Sequence, residues 1–409
     1  MKSDFLFFKK WIMKILVVNA GSSSLKFQLF EMPEEKVIIS GYIEKVGIKG
    51  SFWTTKVNGE KIKGEKDLKN HTEAAQVMLD ELLKYHAVES LDEIKGVGHR
   101  VLHGGEKYSD SVIIDEDAIQ SIKDLMKLGP LHHPGNLAGI EAMQKALPEV
   151  PMVAVYDTAF HQTMPKYNFI YPVPMEWYEK YGVRKYGFHG TSHKYITQEM
   201  KHLLNKDDVN LIIAHIGSGG SLSAIKDGKC YDTTMGLTPL DGIMMGTRSG
   251  SIDPSILEYV CKESWMDISE VTNALNKQSG YLGVSGYSDS RDVEQAALRG
   301  EENAKLAQRM YNDRVAKYIA QYYIELEGEV DAIVFTAGVG ENGTEFRADV
   351  LNKLTPLGIK LNVEANNNIA SYKEQHEGII TSPNSSIPVY VLPTNEELMI
   401  AKDTYKLVK

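Results

Sequence analysis

The segment Asn19-Ala-Gly-Ser-Ser-Ser-Leu-Lys26 lies between two runs of strand character, residues 15–18 and 27–29. An apolar β-branched run, a turn of glycine and serine, and a second extended run predict a β-hairpin with a tight turn. The same order returns in His215-Ile-Gly-Ser-Gly-Gly-Ser221, which follows the apolar residues 211–214. Backbone N–H groups in such turns can point at an anion. Two matching hairpins therefore predict a duplicated protein that binds a phosphate-type ligand in the cleft between its halves.

Short apolar runs alternate with amphipathic stretches along the rest of the chain, which is typical of layered α/β proteins. Further strands are predicted at residues 96–101, 151–156, 331–337 and 388–393. Helices are predicted at residues 71–85, 115–127, 136–146, 193–204, 292–325 and 395–407. Thr394, with Glu397 three residues later, predicts a capping box at the start of the last helix.

The length of 409 residues exceeds what one ordinary core accommodates, so two domains are expected. We place the N-terminal domain at residues 13–157 together with 393–409, and the C-terminal domain at residues 158–392. Residues 1–12 are interpreted as a non-structural N-terminal extension. Their apolar stretch, residues 5–8, is too short for a signal peptide, and two lysines follow it at once.

The composition narrows the functional classes. The chain carries 45 basic and 55 acidic side chains, a net charge of −10, which argues against non-specific nucleic-acid binding. No apolar run reaches the ~20 residues that a membrane helix needs. Cys230 and Cys261 cannot build a disulfide framework, so we expect reduced thiols and a cytoplasmic location.

Two arginines lie among glycines, Arg100 in Gly98-His-Arg-Val-Leu-His-Gly-Gly105 and Arg248 in Met245-Gly-Thr-Arg-Ser-Gly250. Most arginines form surface ion pairs, but the guanidinium also binds carboxylate and phosphate bidentately and stabilises charge in phosphoryl transfer. Glycines allow a ligand to approach the backbone, which favours the binding role here.

Asp157 and Glu396 each follow an apolar strand, and ligands of α/β sheets collect at the carboxyl ends of strands. An acid at Asp157 can hold Mg²⁺ or orient a nucleophile. Glu396 also begins a helix, where a carboxylate has a structural reason to be.

Histidines cluster in the same segments, at His99, His103, His132, His133, His189 and His193. The spacing of His189 and His193 places both on one helix face, as in some zinc sites. Gly190 and Ser192 stand between them, without the glutamate of a His-Glu-x-x-His motif, so hydrogen-bonding roles are favoured over zinc.

Residues 338–343 form a Gly-x-Gly-x-x-Gly sequence after a predicted strand, and Glu364 follows about twenty residues later, as a dinucleotide site requires. Fewer than seventy residues remain to build the rest of such a sheet, and this interpretation leaves Arg100, Asp157 and Arg248 without a role. We therefore predict a nucleotide loop and not a nicotinamide site. Walker A and protein-kinase signatures are absent from the sequence.

Six segments together resemble the acetate kinase family. In chain order they are Asn19-Ala-Gly-Ser-Ser-Ser-Leu-Lys-Phe27, Gly98-His-Arg-Val-Leu-His-Gly-Gly105, Tyr156-Asp-Thr-Ala-Phe-His-Gln-Thr-Met-Pro165, Arg184-Lys-Tyr-Gly-Phe-His-Gly-Thr-Ser-His193, Phe335-Thr-Ala-Gly-Val-Gly-Glu-Asn342 and Pro393-Thr-Asn-Glu-Glu397. The resemblance extends over residues 13–409 in order and spacing, so the joint match is highly specific. It implies a duplicated two-domain α/β fold of the actin/hexokinase type (ribonuclease H-like), with the active site in the cleft between the domains.

The resemblance implies reversible phosphoryl transfer between ATP and acetate, giving acetyl phosphate and ADP, with Mg²⁺ or Mn²⁺. Arg100 and Arg248 would bind the carboxylate and the migrating phosphoryl group. His189 would donate a hydrogen bond to that group, and Asp157 would be the essential acid. The mechanism predicted is direct in-line attack without a covalent enzyme intermediate.

Further roles follow from the same resemblance, which also implies a homodimer. Asn19 and Glu396 would hold the metal, and Lys26 would lie near the phosphates. The other nucleotide-binding residues would be His215, Gly217, Ser218, Gly219, Asp289, Arg291, Gly338, Gly340 and Asn342. The pocket for the substrate would consist of Arg100, Leu102, Leu131, Phe188 and Pro239.

The chain departs from the family pattern at three positions. Ser218 replaces the usual Asn, which removes an amide donor and leaves the choice of phosphate donor open. Ser251 stands where Asp is usual. Leu102 stands where Val is common, which should shrink the pocket and favour acetate; one methylene is worth only ~1–3 kcal/mol.

Three alternatives remain at this stage. A propionate or butyrate kinase of the same family differs only in substrate selectivity. An NAD-dependent oxidoreductase rests on residues 338–343 alone. A non-catalytic, actin-like assembly protein would need no pair of arginines.

Overall fold

The computed structural model describes residues 12–130, 132–369 and 378–409. Leu131 and residues 1–11 of the predicted extension therefore lie outside the described residues. The chain divides into two compact units. The first unit consists of the residues up to Ala159 together with Asn395–Lys409, and the second unit is Phe160–Thr394.

The first unit is built on a mixed sheet, whose described strands have the order β5-β4-β3-β2-β1-β6-β8-β7. These strands are β1 (Met13–Ala20), β2 (Ser24–Met32), β3 (Lys36–Glu44), β4 (Phe52–Val57), β5 (Glu60–Glu65), β6 (Ile94–Val101), β7 (Val112–Ile113) and β8 (Met152–Tyr156). Its helices are α1 (His71–Lys84), α2 (Glu116–Asp124), α3 (His133–Ala146) and the final helix of the chain, α15 (Glu396–Val408). The pair β1 and β2 is antiparallel, whereas β1, β6 and β8 run parallel.

The second unit has a smaller sheet, whose described strands have the order β11-β10-β9-β12-β14-β13. These strands are β9 (Leu211–Ile216), β10 (Gly220–Lys226), β11 (Lys229–Thr233), β12 (Ala332–Thr336), β13 (Gly378–Ile379) and β14 (Val389–Val391). Its helices are α4 (Lys166–Phe169), α5 (Met175–Tyr181), α6 (Gly190–Leu204), α7 (Ser255–Ser264), α8 (Ile268–Lys277), α9 (Gly280–Ser285), α10 (Ser290–Leu298), α11 (Glu302–Glu325), α12 (Ala337–Asn342), α13 (Thr344–Lys353) and α14 (Val363–Asn368).

The two sheets repeat one arrangement. The order β3-β2-β1-β6-β8-β7 in the first corresponds strand by strand to β11-β10-β9-β12-β14-β13 in the second. In each sheet the first strand of an antiparallel hairpin is also the first of three parallel strands. A short antiparallel strand pairs with the last of these three. The repeat confirms the predicted duplication and the α/β class. It also differs from the all-parallel doubly wound sheet that a dinucleotide-binding unit would need.

The parallel strands are buried on both faces. Every residue of β8 and β12 is buried, as expected for strands that helices cover from both sides. Helix α15 packs on β1 and β6 in the first unit. Within the described ranges, no helix combines the length and the apolar character that crossing a membrane requires.

Two local predictions were wrong. The cap of α15 is Asn395, whose Oδ1 accepts from the N–H of Leu398 at 3.0 Å; Thr394 lies one residue too early, and its hydroxyl contacts Ser192 instead. The predicted helix 292–325 is two helices, α10 and α11. They are separated at Gly300, whose φ of +95° leaves the right-handed helical region.

The close docking of α15 on β6 gives a test of this packing. A Cβ on Gly98 would lie 2.3 Å from Thr404 Oγ1 and 2.6 Å from Ile400 Cγ2. Gly98→Ala should therefore lower the free energy of unfolding by about 1–3 kcal/mol, measured by chemical denaturation. Gly96→Ala, whose Cβ would meet its neighbours only at 3.1–3.2 Å, is the matched control and should cost less. Equal stability of the two variants would contradict this packing.

Candidate functional site

Two helices fix the turn between β1 and β2. The carbonyl oxygen of Gly21 lies 2.7 Å from Nε2 of His71 in α1. Asn136 in α3 donates from Nδ2 to the carbonyl of Ala20 at 2.8 Å. Asn19 and Lys26 face each other across the hairpin just outside the turn. These two predicted ligand-binding residues therefore lie at a defined edge of the first sheet.

Arg100 in β6 and Asp157, directly after β8, form a bidentate ion pair at the same edge. Nε of Arg100 donates to Oδ1 at 3.2 Å, and Nη2 donates to Oδ2 at 2.5 Å. The side chain of Asp157 is 1% exposed and that of Arg100 is 22% exposed. The charge of Asp157 raises the pKa of Arg100 above its ordinary value, against the opposing effect of burial. The pair orients a permanently charged guanidinium that a ligand can still reach.

Glu396, the first residue of α15, lies in the same electrostatic environment. Its pKa is raised from 4.5 to about 7, and the largest cause is the loss of water around its partly buried carboxyl. The charges of Asp157 and Glu397 raise this pKa further, whereas those of Arg100 and Lys26 lower it. A carboxyl in this position can take up a proton or a cation near neutral pH.

In the second unit, the turn between β9 and β10 lies on a cavity of about 730 Å³, a size typical of small-molecule sites. The predicted site residues that line it are Gly217, Ser218, Gly219, Arg248, Asp289, Arg291, Gly338 and Asn342. The predicted nucleotide residues His215 and Gly340 belong to the same unit but are not among the lining residues, and Lys26 belongs to the first unit.

Sequence reasoning missed the aromatic wall of this cavity. The rings of Tyr281 and Tyr311 stack at 4.7 Å between centroids, and Phe346 lies 5.8 Å from Tyr311. Gln308 and Asn312 add polar groups to the lining. The aromatic residues come from α9, α11 and α13, so no local motif contains them. The only available signal was the placement of Tyr311 on the buried face of a predicted helix.

Hydrogen bonds hold two other walls of the cavity. Asp289 caps α10 and pairs with Arg291 at 2.9 and 2.6 Å, which lowers the pKa of Asp289 to about 2. Arg347, which is fully buried, donates from Nη1 to the carbonyls of Gly340 at 2.9 Å and Glu341 at 2.8 Å. Gly340 belongs to α12, which lines the cavity with Gly338 and Asn342, so Arg347 anchors this helix.

Four polar side chains pack behind the turn of the second unit. The ring of His189 stacks on that of His215 at 4.2 Å between centroids. Nδ1 of His189 lies 2.9 Å from Oγ of Ser221, and Nε2 of His193 lies 2.8 Å from the same oxygen. His189 and His193 therefore both contact the hydroxyl of Ser221. In the described part of the chain, no group of three or more His, Cys, Asp or Glu side chains could hold a metal ion.

Arg248 and His189 converge beside Gly219. A Cβ built on Gly219 would lie 3.5 Å from Nη1 of Arg248 and 3.7 Å from Nε2 of His189. Burial lowers the pKa of Arg248. Its Nη1 donates to the carbonyl of Pro239 at 3.5 Å, and it makes no ion pair among the described residues. A desolvated cation without a carboxylate partner is suited to bind an anion.

The predicted substrate-pocket residues are distributed over both units. Leu102 is 5% exposed and follows β6, and its N–H donates to Asn136 Oδ1 at 3.1 Å. Phe188 is 1% exposed, and its carbonyl lies 2.9 Å from Nε2 of His161. Pro239 contacts Arg248.

Comparison with known proteins identifies relatives that match nearly the whole chain. The family model described as "Acetokinase family" matches residues 14–402. The chain is 51% identical to an acetate kinase of Finegoldia magna over 400 residues, which cover 97% of this chain and 100% of the relative. Crystal structures of a Porphyromonas gingivalis acetate kinase and of a Francisella tularensis propionate kinase both match with a TM-score of 0.91 and 43% identity. In both cases the match covers 97% of this chain and 100% of the other chain.

The raised pKa of Glu396 predicts a pH-dependent contribution to stability. Because its folded-state pKa of about 7 exceeds the ordinary 4.5, its contribution is fully present below pH 4.5 and is lost as the pH rises through 7. Glu396→Gln removes this titration, so the variant should gain melting temperature relative to wild type on going from about pH 5 to about pH 8. Glu263→Gln, the same change at an exposed position of α7, is the control. A parallel pH dependence of both variants would show the pKa shift to be wrong.

Proposed function

This chain belongs to the acetokinase family, and we propose that it transfers a phosphoryl group reversibly between ATP and acetate, giving acetyl phosphate and ADP. Identity to a named acetate kinase at 51% over nearly the whole length supports the activity. The chain is thus a phosphotransferase with a carboxyl group as acceptor, and the oxidoreductase and assembly-protein alternatives are set aside.

The observation that carries the mechanism is the convergence of two side-chain nitrogens beside Gly219. Nη1 of Arg248 and Nε2 of His189 face the position that a Cβ of this glycine would occupy. The glycine belongs to the lining of the 730 Å³ cavity, as does Arg248. We assign the nucleotide to this cavity and its terminal phosphoryl group to the space beside Gly219.

In the proposed step, a carboxylate oxygen of acetate forms a bond to the γ-phosphorus of ATP. The bond from that phosphorus to the β–γ bridging oxygen breaks, and ADP leaves with the electron pair. Charge on the transferring group is neutralised by Arg248 and Arg100, while His189 donates a hydrogen bond to it. No covalent enzyme intermediate is needed.

Asp157 acts through Arg100 in this mechanism. Its two hydrogen bonds fix the plane of the guanidinium before substrate arrives, so the orientation costs little at the moment of reaction. The carboxyl of Asp157 is almost fully buried, and its pairing with Arg100 balances the buried charge.

Asn19 and Glu396 are proposed to hold Mg²⁺. An amide oxygen and a carboxylate are ligands that Mg²⁺ prefers, and this ion takes few protein ligands beside phosphate oxygens and water. The raised pKa of Glu396 fits the assignment, because a nearby cation would favour the ionised carboxyl that the protein alone disfavours. When bound, the ion supplies positive charge against the phosphate oxygens.

The activity is tested by trapping acetyl phosphate with hydroxylamine. Acetate, propionate and butyrate are compared as acceptors, and ATP, GTP and pyrophosphate as donors. We expect the highest kcat/KM with acetate and ATP. The named relatives at about 50% identity favour acetate, and a propionate kinase structure also matches the chain, so this ratio measures the substrate preference directly. Absence of any acyl phosphate with all nine combinations would overturn the proposed function.

A homodimer and a cytoplasmic location are further proposals taken from the family resemblance. Light scattering of the purified chain measures the first, and a mass of one chain would reject it.

Arg248 gives the sharpest mutational test of the mechanism. Its removal leaves no carboxylate unpaired, so the loss of activity is separable from a loss of stability. Arg248→Ala should lower kcat by about 10²–10³-fold, as removal of a donor to a charged transition state does. Steady-state kinetics with both substrates measures it.

Arg299→Ala is the matched control, since Arg299 pairs with Glu301 at the exposed end of α10. It should retain wild-type kcat. An unchanged kcat in Arg248→Ala would remove Arg248 from the mechanism.

A further inference from the structure

A single serine hydroxyl, that of Ser221, links His189, the N-cap of α6, to His193 within α6. Ser221 lies in β10 with no exposed surface, directly opposite His215 in the hairpin. Its Oγ is 2.9 Å from Nδ1 of His189 and 2.8 Å from Nε2 of His193. All of these residues belong to the second unit.

Two proton arrangements use the hydroxyl proton of Ser221 when both rings are neutral. A hydroxyl has one proton to donate and two lone pairs that accept. If Ser221 accepted from both rings, its own proton would lack an acceptor, because among the described residues its Oγ bonds only these two ring nitrogens. It therefore donates to one ring nitrogen and accepts from the other. In the first arrangement, His193 Nε2–H donates to Ser221, and Ser221 donates to His189 Nδ1. In the second, His189 Nδ1–H donates to Ser221, and Ser221 donates to His193 Nε2. The first leaves the proton of His189 on Nε2, and the second leaves it on Nδ1.

The environment of His193 favours the first arrangement. Its ring is fully buried, and the resulting loss of water holds its pKa well below the ordinary value, so the ring is neutral. Its Nδ1 is buried without a hydrogen-bond partner among the described residues. In the second arrangement this nitrogen would carry an orphaned N–H, and buried N–H groups without an acceptor are rare in proteins. In the first arrangement it keeps only a bare lone pair.

The surroundings of Nε2, the other ring nitrogen of His189, favour the same proton arrangement. Its Nε2 faces the space beside Gly219 that Arg248 also faces. An anionic phosphoryl group there needs an N–H, because a lone pair on Nε2 would repel the phosphate oxygens. This step rests on the proposed function, whereas the argument from His193 does not.

We infer that Ser221 and His193 are positioning residues that keep a ring proton of His189 on Nε2, so that the ring presents an N–H donor to the transferring phosphoryl group. The relay runs from His193 Nε2–H to Ser221 Oγ–H to His189 Nδ1. It fixes both the tautomer and the rotation of the ring, because Ser221 can donate only along the lone pair of Nδ1.

The tautomer is measured on the wild-type protein by NMR. Two-bond ¹H–¹⁵N correlation spectra of protein labelled at the histidine rings distinguish a protonated nitrogen from a bare one. The chain has twelve histidines, so the signals are assigned by their loss in His189→Gln and His193→Gln. We expect protonated Nε2 and bare Nδ1 in both residues. A protonated Nδ1 in His189 would overturn the inference.

Ser221→Ala tests the relay directly. We expect the ring signals of His189 to lose the fixed Nε2–H pattern and kcat to fall by about tenfold or more, in line with a lost hydrogen bond to a charged group, while both KM values change little. Ser221→Thr keeps the hydroxyl and should restore the pattern. Unchanged ring signals together with an unchanged kcat in Ser221→Ala would overturn the inference.

Ser223→Ala is the matched control. Ser223 is two residues along the same strand, equally buried, and bonds Thr233 Oγ1 at 2.9 Å instead of a histidine. It should leave the His189 signals unchanged. If Ser221→Ala does not fold, the wild-type spectrum still decides. Failure of the hydroxylamine assay would reject the proposed function while leaving the measured tautomer intact, so the two outcomes are distinguishable.

Discussion

The antiparallel hairpin at the start of each sheet is the constraint on which the arrangement of the site depends. In the first unit, β1 turns back at Gly21. The parallel strands β6, beside β1, and β8, beside β6, end at the same edge. Carboxyl ends of parallel strands meet at one edge of a sheet, which is why Arg100 and Asp157, 57 positions apart, form a bidentate pair. In the second unit, β12 runs parallel to β9, with Thr336 opposite His215. The cavity therefore has the turn of residues 217–219 on one side and the start of α12 on another.

The two units handle charge differently. The first brings acids and bases together: Asp157 pairs with Arg100, and loss of water, only partly opposed by the charge of Arg100, raises the pKa of Glu396 to about 7. The second presents Arg248 without an acidic partner in the described residues, beside the ring of His189. An unpaired cationic donor of this kind is suited to bind negative oxygens. In the first unit, a carboxyl that easily exchanges a proton for a cation is suited to hold a metal.

The sequence was most informative where one local pattern determines the structure. Both hairpins, the parallel strands and most helices follow from apolar periodicity and from turns of glycine and serine. The cap of α15 was misplaced because Thr394 and Asn395 both suit an N-cap, and only the packing of Thr394 against Ser192 separates them. The break at Gly300 was missed because the apolar periodicity continues on both sides of it. Tyr281, Tyr311 and Phe346 could not be predicted as one wall, because three separate helices bring them together.

Ser218 and Ser251, the two serines at which the chain departs from the family pattern, differ in what surrounds them. Ser251 donates to Oδ1 of Asp241 at 2.6 Å. An aspartate at this position would bring a second carboxylate against the first, so the serine removes a repulsion and keeps Asp241 paired. Ser218 lines the cavity directly and carries no side-chain amide there. The departure at Ser251 is therefore absorbed by its neighbours, whereas the departure at Ser218 lies in the cavity to which we assign the nucleotide. The preference among phosphate donors should then depend on what the aromatic wall and the polar groups of Gln308 and Asn312 contribute in place of that amide.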